Sequence, residues 1–157
     1  MLTCSASGEL DLAPTSWVQM AGFNGPLLSL GCSKQPWTHN NIMTTGHYTV
    51  SFPTVEQTRC AGAIARTPRA ERVAASGLTP VPSSTAGIPH LRECPAYCEC
   101  ELYREVALEG DEVLILGQIR CLAVHTDVIG LGWSGLCSRL APAFFLAPRR
   151  RGTLSVE

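Results

Sequence analysis

The chain has 157 residues and carries 12 basic and 13 acidic side chains, for a formal net charge of −1. So even a balance gives no overall field to draw in nucleic acid or an acidic membrane, and no run of 18 apolar residues is present to span a bilayer. The length suits one domain over 1–157 with a core of its own.

The elements read in chain order are mostly strands. Leu2–Ser5 and Leu10–Trp17 flank the turn Ser7-Gly8-Glu9 and form a hairpin. Pro26 stops any earlier strand, and the apolar run Leu27–Cys32 predicts a strand covered on both faces. Ser33–Thr45 leads into a helix, with Pro36 in its first turn and Gly46 as its stop. Tyr48–Phe52 alternates as a strand. Thr54–Ala65 predicts a second helix, with Val55, Cys60, Ala61 and Ile64 on one face. Residues 66–93, rich in proline, glycine and serine, form a long connection of the kind that is functional or disordered. Ala96–Val106 and Glu112–Val124 are long strands joined by Glu109-Gly110-Asp111, and the second is apolar on both faces and therefore central. Six or seven strands with two or three short helices, and no βαβ alternation, predict an all-β dominated closed antiparallel barrel.

No basic-then-apolar leader opens the chain, so the cytoplasm is the expected compartment. The eight cysteines are then expected as free thiols rather than a disulfide framework. Cys98 and Cys100 share a strand face, yet no CxxC knuckle exists, and zinc would need two further ligands. Arg149–Arg151 is expected as a solvated tail.

Two segments carry possible chemistry. In Asp11-Leu-Ala-Pro-Thr-Ser-Trp17, Pro14 forbids regular pairing and frees the backbone to face a ligand. Thr15 and Ser16 add hydroxyls and Trp17 an aromatic face. The alternative is an irregular edge strand ending in a core tryptophan. In Ser33-Lys34-Gln35-Pro36-Trp37-Thr38, donors gather before a helix start, which suits phosphate. The alternative there is a plain helix cap beside a surface lysine. His39, His47, His90 and His125 lie in no nucleophile motif, and neither a dinucleotide fingerprint nor a P-loop is present.

In order, these segments resemble the flavin reductase-like, FMN-binding split-barrel family that includes flavoredoxins. Asp11–Trp17 is similar to its N-x-A-P-x-S-W strand, and Gly25-Pro26-Leu27-Leu28 to its P-P-L. Ser33 through Thr38 and on to Asn41-Ile42 resembles its phosphate loop and helix. Glu71-Arg72-Val73 with Gly77-Leu78-Thr79 resembles D-K-F…G-L-T, and Cys98-Glu99-Cys100 resembles L-E-C. Gly110-Asp111-Glu112 with Leu116–Ile119 is like G-D-H…I-G-E-V, and Leu140–Leu146 is like the closing L-x-P-x-x-x-L.

The resemblance implies a Greek-key split barrel, a homodimer and one FMN, reduced by NADH or NADPH and serving a flavin-dependent monooxygenase or another acceptor. It implies that Ser33, Lys34 and Thr38 hold the phosphate, with Asn41, Asp11 and Glu112 also among the cofactor-binding residues. Pro14, Thr15, Ser16 and Trp17 would line the ring, and Arg72 would stand for the family lysine. Asp11 replaces the family Asn, and Glu112 the family His, so both bear on turnover more than on folding. An extra leading segment before the first strand is expected in the family and is short here. Three functions follow as alternatives: a reductase using NAD(P)H, an FMN electron carrier, and a barrel that has lost flavin and acts as a binding module.

Overall fold

Gly8 takes φ +89°, a left-handed turn that only glycine adopts without strain, and so joins β1 (Leu2–Ser7) to β2 (Glu9–Pro14). The structure is a computed structural model and describes residues 1–22, 25–34, 37–84, 87–132 and 134–135. Pro36, Cys137, the Leu140–Leu146 segment and Arg149–Arg151 lie outside the described residues.

After β2 come β3 (Val18–Gly22), β4 (Leu27–Ser33), α1 (Thr38–Thr45) and β5 (His47–Phe52). Helix α2 (Val55–Arg66) opens on a capping box between Thr54 and Gln57. A 3₁₀ turn (Arg69–Glu71), α3 (Arg72–Ser76), β6 (Pro80–Val81) and β7 (His90–Leu91) lead to the long hairpin β8 (Ala96–Ala107) and β9 (Glu112–Val124).

One seven-stranded antiparallel sheet holds the molecule, in the order β2-β1-β5-β8-β9-β4-β3. Its two edge strands follow one another in the chain. Laid flat, six strand spacings would set them about 29 Å apart. The four peptide steps from Pro14 to Val18 span at most about 14 Å. The sheet must therefore roll until its edges meet, which makes the expected barrel and leaves its seam at residues 15–17.

The two faces of the rolled sheet bury separate cores. Leu28, Leu30, Tyr48, Val50, Cys98, Cys100, Val113 and Ile115 fill the inside, with Ile42 of α1 at one end. Leu2, Cys4 and Leu12 meet Ile64 of α2 and Ile88, Leu91 and Cys94 on the outside. Strand β9 is central, between β8 and β4, as its two apolar faces predict. Gly117 is small for a steric reason. A Cβ there would touch the Tyr48 hydroxyl and come within 2.8 Å of its Cζ.

Three readings from the sequence are corrected. The strand expected over Leu10–Trp17 stops at Pro14, where pairing to β1 ends. The strand Val18–Gly22 was not expected, because Gln19 and Gly22 dilute its apolar signal. The long connection holds short elements, pinned onto the outer face by polar contacts. Thr49 Oγ1 donates to the Pro89 carbonyl at 2.6 Å, Ser51 Oγ accepts from Leu91 N at 3.1 Å, and Ser84 N and Oγ both donate to buried Glu99 Oε1 at 3.0 Å.

The seven described cysteines are free thiols. Burial pushes Cys4, Cys94 and Cys100 up to about 12 and Cys98 to about 11. The unfolded chain loses these protons near pH 9, while the folded one keeps them. Stability is therefore fully present below about pH 9 and falls as the pH rises toward 12. Urea unfolding at pH 8 and pH 10.5 checks this; equal midpoints would contradict it. Alkylation by iodoacetamide at pH 8 is expected to spare these four until the protein unfolds.

Candidate functional site at the barrel seam

At the seam the backbone changes partners. Thr15 N donates to the Met1 carbonyl at 2.8 Å, and the Met1 amino group donates to the Thr15 carbonyl at 2.9 Å. Two residues on, the Trp17 carbonyl accepts from Gly31 N at 2.8 Å. Thr15 thus still belongs to the β1 side and Trp17 already to the β4 side. Ser16 between them belongs to neither ladder. Trp17 is 64% exposed, so it is not a core tryptophan. Its indole lies over Gly31, where a Cβ would sit 3.0 Å from the Trp17 Cβ and 3.1 Å from its Cε3. Hollows of about 210 and 300 Å³ flank the seam, and Ser16 lines both.

The exposed end of β4 lies close by in the sheet. Ser33 pairs with Glu112, and Lys34 N donates to the Asp111 carbonyl at 2.7 Å. The β8–β9 turn therefore fixes the Ser33-Lys34 backbone, while the Lys34 and Glu112 side chains are exposed. Helix α1 then starts at Thr38 rather than further upstream. Its N-cap is Trp37, and an indole has no acceptor to offer the first-turn amides. The first-turn amides of this helix head have no side-chain cap acceptor.

Asp11 is engaged within the protein. Its side chain is only 1% exposed. Thr38 Oγ1 donates to Asp11 Oδ2 at 2.6 Å, and Arg72 Nη1 donates to Oδ1 at 3.2 Å. Arg69 Nε stands 3.8 Å from the same Oδ1, and Arg69 Nη2 donates to the Glu9 carbonyl at 2.8 Å. Glu9 Oε2 stands 3.6 Å from Arg69 Nη1, so two carboxylates meet two guanidinium groups and the cluster is balanced in charge.

The predicted residues thus fall into two groups. Pro14, Thr15, Ser16 and Trp17 form the seam, with Ser33, Lys34 and Glu112 at the end of β4 and β9. Asp11, Thr38, Asn41 and Arg72 lie in the buried cluster behind α1. There, Asn41 Nδ2 donates to Ser5 Oγ at 3.3 Å, and the Thr38 hydroxyl is committed to Asp11. Both side chains tie the helix to β1 and β2, and His39 Nε2, 3.0 Å from Glu105 Oε2, ties it to β8.

Sequence reasoning missed Arg69 and Trp37. The Arg69 guanidinium carbon lies 4.2 Å from the centroid of the Trp37 ring. Arg69 precedes Arg72 by three residues, a helical spacing, but that signal needs the turn to be known first. Among the described residues no cluster of three or more His, Cys, Asp or Glu side chains is placed to hold a metal ion. No described helix is long and apolar enough to cross a membrane.

Comparison with known proteins gives the family. A family model described as flavin reductase like domain matches residues 1–135. A protein from Archaeoglobus fulgidus is 30% identical over 121 residues, covering 75% of this chain and 67% of its own length. Another from Pyrococcus abyssi is 24% identical over 71% of this chain, which spans 64% of that relative. Nitrilotriacetate monooxygenase component B from Bacillus cereus superposes with a TM-score of 0.85 at 22% identity, over 99% of this chain and 83% of that one. Flavoredoxin of Desulfovibrio vulgaris gives 0.80 at 23% identity, over 99% and 87%. At those identities the two structures establish the split-barrel fold alone. The family match carries the assignment: this chain belongs to the flavin reductase-like domain family.

Proposed function

We propose that the chain binds FMN and works as a flavin reductase that draws electrons from NADH or NADPH. The observation that carries the reading is the head of α1, which lacks a cap acceptor and follows Lys34 closely. The residues fit an FMN phosphate. Lys34 offers an ammonium, Ser33 a hydroxyl and the first turn of α1 its amides. The fit extends to the ring, because Ser16 lies outside both ladders and Trp17 presents an exposed face. FMN, when bound, supplies the electron-transfer chemistry. Lys34 and Ser33 hold its charged end, the seam orients its ring, and Arg72 stays fixed on Asp11 within the same network.

An electron carrier without a nicotinamide site is the second reading. It is favoured by Glu112, an exposed carboxylate where the resemblance expects histidine. Exposed apolar side chains such as Met20, Leu122 and Ile129 suit a homodimer contact. A flavin-dependent monooxygenase is a fitting recipient for the reduced flavin. Free thiols suit the cytoplasm.

Absorbance and flavin fluorescence titration of the purified protein test binding, and NADH or NADPH oxidation with excess FMN separates reductase from carrier. Lys34→Ala is expected to weaken FMN about tenfold, near 1.4 kcal/mol. Unchanged affinity would place the phosphate elsewhere. A colourless protein that takes up no added FMN would leave the third reading, a binding module.

A further inference from the structure

The β8–β9 hairpin fastens the two halves of the candidate phosphate site. On one side, Lys34 N donates to the Asp111 carbonyl in the turn at 2.7 Å, and Ser33 pairs with Glu112. On the other, His39, the second residue of α1, meets Glu105 of β8, with Nε2 3.0 Å from Oε2. A carboxylate only accepts, so Nε2 carries the hydrogen. The contact is sheltered, the two side chains keeping 12 and 23% exposure.

The register explains why Glu105 is there. It lies opposite Ile115, and Ile115 lies opposite Leu30, so the carboxylate shares the inner face of the barrel with two core residues. Ile42 of α1 packs into that same core. Glu105 therefore meets α1 at the end of the barrel that the helix covers. It also lies near Cys32, the residue before Ser33, whose thiol is pushed up to about 11 by burial and then by this carboxylate. The rear of α1 is held separately, by Thr38 on Asp11 and by Asn41 on Ser5. The helix thus keeps two anchors without His39. What His39 adds is a fixed place for the first turn against the hairpin that also fixes Lys34.

We infer that His39 and Glu105 are positioning residues for the phosphate of the flavin. The inference rests on the reading that Lys34 and the first-turn amides of α1 hold that phosphate. The pair sets the spacing between the helix head and Lys34, so it governs affinity for the phosphate and not for the ring. Neither side chain touches the flavin in this role.

The test compares FMN with riboflavin, which has the same ring and no phosphate, by fluorescence titration. His39→Ala is expected to lower the ratio of FMN to riboflavin affinity about fivefold, the share that a helix end contributes to holding an anion. Glu105→Ala should lower it by a similar factor, and the double variant by no more than either, because both remove one contact. His39→Gln keeps a donor and should retain most of the ratio. An unchanged ratio in His39→Ala would overturn the inference, as would losses that add in the double variant. Equal losses for both flavins would make the pair merely structural and overturn it too. None of these results touches the FMN reading. A parent protein that binds riboflavin as tightly as FMN would overturn the phosphate reading, and the inference with it.

Discussion

Asp11→Ala is expected to destabilise the protein by about 3 kcal/mol, at the lower end of what the loss of one buried ionic partner costs. The carboxylate is almost wholly enclosed, and three elements converge on it: Thr38 of α1, Arg69 of the 3₁₀ turn and Arg72 of α3. Alanine leaves the Arg72 guanidinium without its counter-charge, leaves Arg69 with only the exposed Glu9 carboxylate, and leaves the Thr38 hydroxyl without an acceptor. The arginine side chains keep 11 and 22% exposure, so water softens the loss. Asp11→Asn restores an acceptor for Thr38 but no charge, and should lose about half as much. Urea unfolding with an unchanged m-value measures both. A loss below about 1 kcal/mol for Asp11→Ala would show that the cluster does not hold α1 to the sheet.

Gly117→Ala is expected to cost about 3 kcal/mol, the upper part of the usual range for overpacking. The new methyl group would run into the Tyr48 hydroxyl and its ring edge, and Tyr48 is fully buried among the side chains of the inner core. The ring has nowhere to go. Its hydroxyl, beside the Cys100 thiol, makes no sound hydrogen bond. Burial also pushes its ionisation upward, so it stays neutral. Tyr48→Phe alone should therefore change stability by less than about 1 kcal/mol, since no partner is lost. In the Gly117→Ala background it should recover a good part of the deficit. Additive effects of the two changes would refute the contact as the cause.

The barrel was legible because its signals are local. Alternation in Tyr48–Phe52, the turn at Gly110 and the doubly apolar Glu112–Val124 stretch each point to one element. Pro14 was legible as a break in pairing, and the break lies where the seam forms. The site was legible in part. Ser33 and Lys34 precede a helix start, and that much is chain-local. The partner of Asp11 was not legible, because Arg69 and Arg72 reach it across some sixty residues of sequence. A carboxylate read alone looks like a charge against the cofactor; with two arginines beside it, it is a brace. The exposure of Trp17 was hidden for a similar reason. Its lodging on Gly31 depends on β3 pairing with β4, and Gln19 and Gly22 kept that strand from view.

The roll of the sheet has a consequence for synthesis. Strands β3 and β4 leave the ribosome as a hairpin well before β9 follows. The free side of β4 waits for β9, with Leu27 pairing to Gln118 and Ser33 to Glu112. Until β9 emerges, then, an apolar strand has one open edge. Pairings so distant in the chain form slowly and leave the nascent polypeptide open to misassociation. Holding β4 until β9 emerges is the step at which a chaperone would do most for this protein's yield.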